Sequence, residues 1–193
     1  MSLFTELQAA AFREGLRPGT KKARDWFRQK SRGLTDVNKM DVISDERLKQ
    51  VSGPSAGKMY TFFYDPKTKD SLPYYDTFPL ILFVEPAPGG FYGLNLHYLS
   101  PTQRAKLFDA LLDTANNKKY DRTTKLKINY ALLSSTAKYR AFAPTFKRYL
   151  SGQVKSNIVE IDAPEWSIAM FLPTESFKKA SNRKVWSESK AMF

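Results

Sequence analysis

The sequence has no cysteine and one histidine in 193 residues. Without cysteine there are no disulfides, zinc–thiolate sites or thiol nucleophiles, and the chain fits a reducing compartment. No apolar run approaches the roughly 20 residues of a membrane-spanning helix, and no signal-peptide pattern is present. Neither a membrane span nor secretion is expected. Carboxylates are sparse and scattered: the seven acidic residues before residue 50 lie among positive charges, whereas a metal-dependent nuclease needs them clustered. The lone His97 sits between apolar neighbours and reads as a packed or bonded structural residue, because a metal site or triad needs partners of the right type. Gly53 to Lys58 fails as a phosphate loop: three residues separate its glycines where four are required, and Met59 follows the lysine where Ser or Thr is needed. With no nucleophile–base pair and no glycine-rich cofactor loop, the sequence predicts no enzyme and no cofactor.

Aromatic residues are plentiful, at 14% of the chain within a hydrophobic content of 42%, which excludes a wholly disordered protein. They concentrate in Gly57–Leu99. Lys58 to Tyr64 reads as a strand, with Met59, Thr61 and Phe63 on one side and Tyr60, Phe62 and Tyr64 on the other. Neither side is polar, so both must be covered, by core or by a partner. Asp65-Pro66 opens a turn, and Pro73 bars Leu72–Asp76 from a central strand. Pro79–Val84 is an apolar run of strand length, Pro86 to Gly90 a turn, and Phe91–Leu99 the return strand. These predict a small antiparallel meander or barrel-like sheet of about three strands over residues 57–99, covered by helices because so small a sheet is marginal alone.

The rest of the chain reads as short helices, so the fold class is α+β. The N-terminal arm spans residues 1–56, with helices over 3–14 and 21–32 and a polar linker over 33–57. The core domain spans 57–173, and a helical C-terminal tail spans 174–193. Ser100-Pro101 starts a helix, and Phe142, Phe146, Tyr149 and Leu150 continue helical spacing further on. Asn157–Ile161 is a short strand, and Asp162 with Glu165 matches a capping pattern better than an acid–base pair.

The net charge of +12 is unevenly distributed: residues 100–156 carry +9 of it. Along this section run Lys118, Lys119, Arg122, Lys125, Lys127, Lys138, Arg140, Lys147 and Arg148 among its basic residues, interleaved with Tyr and Phe. Such a section neutralises phosphates or meets an acidic protein neighbour; the sequence does not choose between them. Trp26, Phe27, Tyr74, Tyr75 and Trp186 are candidate interface aromatics. For Trp26 and Phe27 the competing reading is a docking helix with a solvated charged face; for Tyr74-Tyr75-Asp76 it is a buried turn whose hydroxyls bond the backbone.

The central motifs are Tyr64–Lys67 (YDPK), Leu72–Leu80 (LPYYDTFPL) and Phe91–Leu99 (FYGLNLHYL), flanked by Asp25-Trp26-Phe27-Arg28 and Thr123–Tyr130. Through them the chain resembles a small protein family of contractile-tailed bacteriophages, especially marine and cyanobacterial ones. The resemblance covers most of the chain. It implies a phage origin and synthesis in the host cytoplasm, and carries over no catalytic residues.

The resulting expectation is a non-enzymatic structural subunit of the virion, in the tail baseplate or neck. Its helical arms would grip other phage structural proteins in a hetero-oligomeric assembly, with no membrane involved. The alternative is a basic DNA-binding protein acting in phage replication, packaging or DNA-end protection. A weaker third reading is an enzyme using the Tyr74–Asp76 loop.

Overall fold

Residues 3–35, 37–119, 121, 131 and 140–191 are described by the computed structural model. Its centre is a six-stranded sheet, antiparallel at every pairing. In chain order the strands are β1 (Lys49–Val51), β2 (Met59–Thr61), β4 (Leu80–Ala87), β5 (Gly90–Asn95), β6 (Phe146–Leu150) and β7 (Ile158–Ile161). They lie side by side as β1-β7-β2-β4-β5-β6. A second, two-stranded sheet pairs β3 (Tyr75–Asp76) with β8 (Phe177–Lys178).

The doubly apolar strand at Lys58–Tyr64 is explained by two cores. Met59, Leu80, Leu82, Leu94, Val159 and Ile161 face the larger one. It is closed by α1 (Leu3–Arg13), α2 (Lys21–Ser31), α4 (Pro101–Asn116) and α5 (Trp166–Ala169), through Phe4, Ala23, Phe27, Phe108 and Trp166. The other face carries Tyr60, Phe62, Tyr64, Ile81, Phe83, Phe91 and Tyr149. Phe62 meets Tyr149 edge-on at 5.4 Å between ring centroids, the T-shaped arrangement that aromatic quadrupoles favour.

Local signals place the helices. Thr20 caps α2 by accepting from the Ala23 amide. Ser100 and Gln103 form a reciprocal capping box on α4: Ser100 Oγ accepts from the Gln103 amide, and Gln103 Oε1 accepts from the Ser100 amide. The β4–β5 turn passes through Gly89 at φ +71°, a conformation open to glycine. At Gly90, β6 approaches so closely that an added Cβ would collide with the Tyr149 carbonyl.

Several expectations need correction. The meander is half of a larger sheet, because strands from 49–51, 146–150 and 158–161 extend it on both sides. The polar stretch 33–57 is threaded into the fold: it holds α3 (Lys39–Ile43) and β1, and buries Val37, Val42, Ile43 and Leu48. Phe146–Leu150 is a strand, because its residues also alternate and β5 offers a pairing edge. The return strand ends at Asn95, whose side chain accepts the His97 amide and turns the chain into a 3-10 turn over Leu96–Tyr98. Asp162 makes no side-chain cap, and Glu165 instead accepts from Gln8 of α1 at 2.9 Å. The C-terminal segment is β8 followed by α6 (Asn182–Ala191), not one helix.

Candidate nucleic-acid interface

A buried polar network supports the site from behind. Asp76 Oδ2 lies 2.6 Å from His97 Nδ1. Asp76 also accepts from the amides of Phe78 and Ser176 and from the Asn95 side chain. Burial alone would raise the Asp76 pKa, but His97 and these donors outweigh it and hold the carboxyl below its ordinary value. Nearby, the buried Arg104 donates to the carbonyls of Leu96, Leu99 and Met170 and pairs with Glu175. Burial works against the Glu175 carboxylate too, and Arg104 again lowers its pKa. Together these bonds fasten the 3-10 turn and the segment before β8 to α4.

In front of this network lies a cleft of about 420 Å³, lined by residues of the 64–76 loop, Asn95, Tyr98 and β6. Its walls are strongly aromatic. Tyr98 stands 6.0 Å from Tyr74 and 5.0 Å from Phe177, centroid to centroid. Burial raises the Tyr74 phenol to about 12, reinforced by its bond to Glu188, and pushes the Tyr98 phenol up as well. Both hydroxyls stay protonated at neutral pH. Lys147 places its ammonium 4.0 Å from the centre of the Tyr98 ring. Desolvation lowers its pKa to about 8, and no carboxylate pairs with it among the described residues. The loop wall is pinned by Lys179, which donates to the carbonyls of Lys69, Asp70 and Leu72.

The structure divides the residues singled out in the sequence. Tyr74, Tyr75, Lys147 and Arg148 all line this cleft. Arg148 also donates to the Pro88 carbonyl at 2.6 Å. Lys118 and Lys119 are exposed just past α4. Arg122, Lys125, Lys127 and Lys138 lie outside the described residues, as does the side chain of Arg140. Phe27 is a core residue. Trp26 is half-buried beside it and donates to Glu14 at 2.6 Å. Trp186 is half-buried against its own chain, donating to the His97 carbonyl at 2.8 Å and covering Arg104.

Sequence reasoning passed over Tyr98 and gave Lys147 no special place in the basic section. The usable signal was the alternation in Phe146–Leu150, which sets Lys147 and Tyr149 on one side of a strand. Among the described residues no group of three His, Cys, Asp or Glu side chains could hold a metal ion. No described helix is long and apolar enough to cross a membrane.

Comparison with curated proteins finds no match, and comparison with solved structures finds none either. Comparison with family models does, and the match runs over residues 7–191, from within α1 through both sheets to the end of α6. The chain therefore belongs to the phage T4 terminal DNA protecting protein family.

Proposed function

We propose that this protein binds the ends of linear phage DNA and shields them by occupying them, without catalysing a reaction. The observation that carries this reading is the family match over residues 7–191. The charge distribution supports it: +9 of the net +12 falls within residues 100–156, the kind of localised footprint that binds phosphates by releasing counterions. The terminal helices dock on their own chain, α1 burying Phe4 and Ala11 in the core while leaving Phe12 exposed, and α6 burying Val185. DNA is the principal partner in this reading, and other phage proteins meet the protein at the DNA terminus. We place it in the virion with the packaged DNA, after synthesis in the host cytoplasm.

The test is protection of linear duplex DNA from a processive exonuclease by the purified protein, with covalently closed circular DNA as competitor. Protection that survives excess circle is expected. Protection abolished by circle would mean coating of duplex without end recognition, and no protection at low salt would overturn the proposal.

A further inference from the structure

The cleft between the 64–76 loop and β6 is too small for a duplex and well matched to one unpaired nucleotide. We infer that it receives the unpaired terminal nucleotide of a DNA strand, with the base stacked on Tyr75 and the phosphate against Lys147. The inference rests on the end-protecting reading and adds the chemical form of the end.

Three observations carry it. The first is size: about 420 Å³ lies in the roughly 300–1,000 Å³ range of small-ligand sites, whereas a double helix is about 20 Å across and reaches a protein through its grooves and backbone. The second is the lining. Tyr75 is half-exposed at the cleft, and its ring packs on no other ring among the described residues. Tyr98, buried behind it among Tyr74, Phe177 and Lys147, backs the cleft and leaves Tyr75 as the ring open to a base. Aromatic faces accept any base by stacking, which suits a protein that must hold ends of differing sequence.

The third is Lys147. A half-buried ammonium over an aromatic ring, with no carboxylate partner among the described residues, lacks an anion. The acid that lines the cleft, Asp76, is committed to His97, Asn95 and two backbone amides. A terminal or penultimate phosphate supplies the missing charge. The lowered pKa of Lys147 agrees with a cation that is unsatisfied until a ligand arrives. Lys67, exposed on the loop wall, adds a second cation to the cleft lining.

The test compares the full-length protein with Tyr75→Ala, Lys147→Met and the conservative Tyr75→Phe. Binding is measured to a short 5′-phosphorylated oligothymidylate, and to duplexes of one length with either blunt or single-stranded overhanging ends. Circular dichroism and thermal melting establish that each variant is folded. The expected result is tighter binding to overhanging than to blunt ends. Tyr75→Ala and Lys147→Met should each weaken overhang and oligonucleotide binding by about tenfold, as removal of one stacking ring or one phosphate-binding cation does. Tyr75→Phe should retain it, and blunt-duplex binding should fall several-fold less than overhang binding in either of the other variants.

End protection with no preference for overhangs, and no effect of the folded variants, would overturn this inference and leave the end-protecting function standing. Oligonucleotide binding that Lys147→Met abolishes, in a protein that protects no duplex end, would do the reverse. Loss of both in the unaltered protein would overturn both.

Discussion

Asp76 and His97 form a buried pair, with carboxylate oxygen and ring nitrogen 2.6 Å apart and the two side chains 1% and 0% exposed. Thr174 Oγ1 lies 3.3 Å from the other ring nitrogen. The sequence Asp–His–hydroxyl imitates a hydrolytic triad, but the space beside Thr174 amounts to about 10 Å³, barely the room for one water. The arrangement joins β3, the 3-10 turn and the segment before β8, and its effect is on stability.

Asp76→Ala is accordingly expected to destabilise the protein by about 3–5 kcal/mol at neutral pH, the usual cost of stranding one member of a buried pair. The pH dependence has a defined sign. The carboxyl is held below its ordinary 3.8 in the folded state, so its contribution is complete above that value and is lost as pH falls through the folded pKa. Denaturant titrations should show the gap between variant and parent at pH 7 narrowing in acid. A gap that stays constant down to full acid unfolding would refute the ionised carboxylate.

Gly90 offers a sharper structural test. A Cβ there would collide with the Tyr149 carbonyl, while one at Gly93 would press on Ile81 Cδ1 at 3.0 Å and Ile81 Cβ at 3.3 Å and reach the Leu82 carbonyl only at 3.4 Å. Backbone cannot yield as a side chain does. Gly90→Ala should therefore cost at least the roughly 1–3 kcal/mol of ordinary overpacking and Gly93→Ala visibly less. Because β5 pairs with β6 through this point, Gly90→Ala should also disturb the Phe91–Tyr149 stack, seen as a change in near-ultraviolet circular dichroism. Equal melting temperatures for the two variants would contradict the register.

The contrast between these elements shows what was legible in the sequence. The aromatic strand with two apolar faces, the helix start at Ser100-Pro101, and the exclusion of Pro73 from the central sheet are local facts, written in residue type and spacing. The α+β class followed from them. Beyond reach were β1 and β6, whose pairing depends on partners far along the chain: Lys49 pairs with Glu160, and Tyr149 with Phe91. Phe146–Leu150 satisfied helical spacing and strand alternation alike, and only the free edge of β5 decided between them. The cleft was half legible. Tyr74, Tyr75, Lys147 and Arg148 were marked, but Tyr98 looked like one more residue of a return strand until Asn95 turned the chain.

Trp186 joins the C-terminal helix to the core through one hydrogen bond and one cation–π interaction. Trp186→Phe removes the bond to the His97 carbonyl and should cost about 1 kcal/mol. Trp186→Ala also removes the ring that covers Arg104, and should cost more. The loss should be local. Amide hydrogen exchange is expected to accelerate across α6 and the Leu96–Tyr98 turn while β2 and β4 keep their protection. Uniform acceleration would mean that α6 unfolds only with the whole domain.

Lys118 and Lys119 are exposed and free of ion pairs among the described residues. If they meet phosphates, replacing both with glutamine should weaken DNA binding to a similar extent for every sequence. The slope of log affinity against log salt should become shallower by about 0.9 for each phosphate no longer neutralised. A weakened affinity with unchanged slope would assign these lysines to structure instead.

Lys147 connects stability with binding, and the two should respond in opposite directions. Its pKa falls from 10.5 to about 8 in the folded protein because burial disfavours the ammonium. Between those values the unfolded chain holds a proton that the folded chain does not, so this group's contribution to stability rises with pH. Below about pH 8 its full cost is present, and it is relieved as pH approaches 10.5. Lys147→Met keeps the length of the stem and removes the charge. It should melt higher than the parent at pH 7, and the difference should shrink by pH 10. In the same variant, binding of overhanging DNA ends should be weaker at pH 7. A residue kept only for packing would gain stability on this change and lose nothing else. Gain and loss together would identify a charge that the fold tolerates because a phosphate uses it.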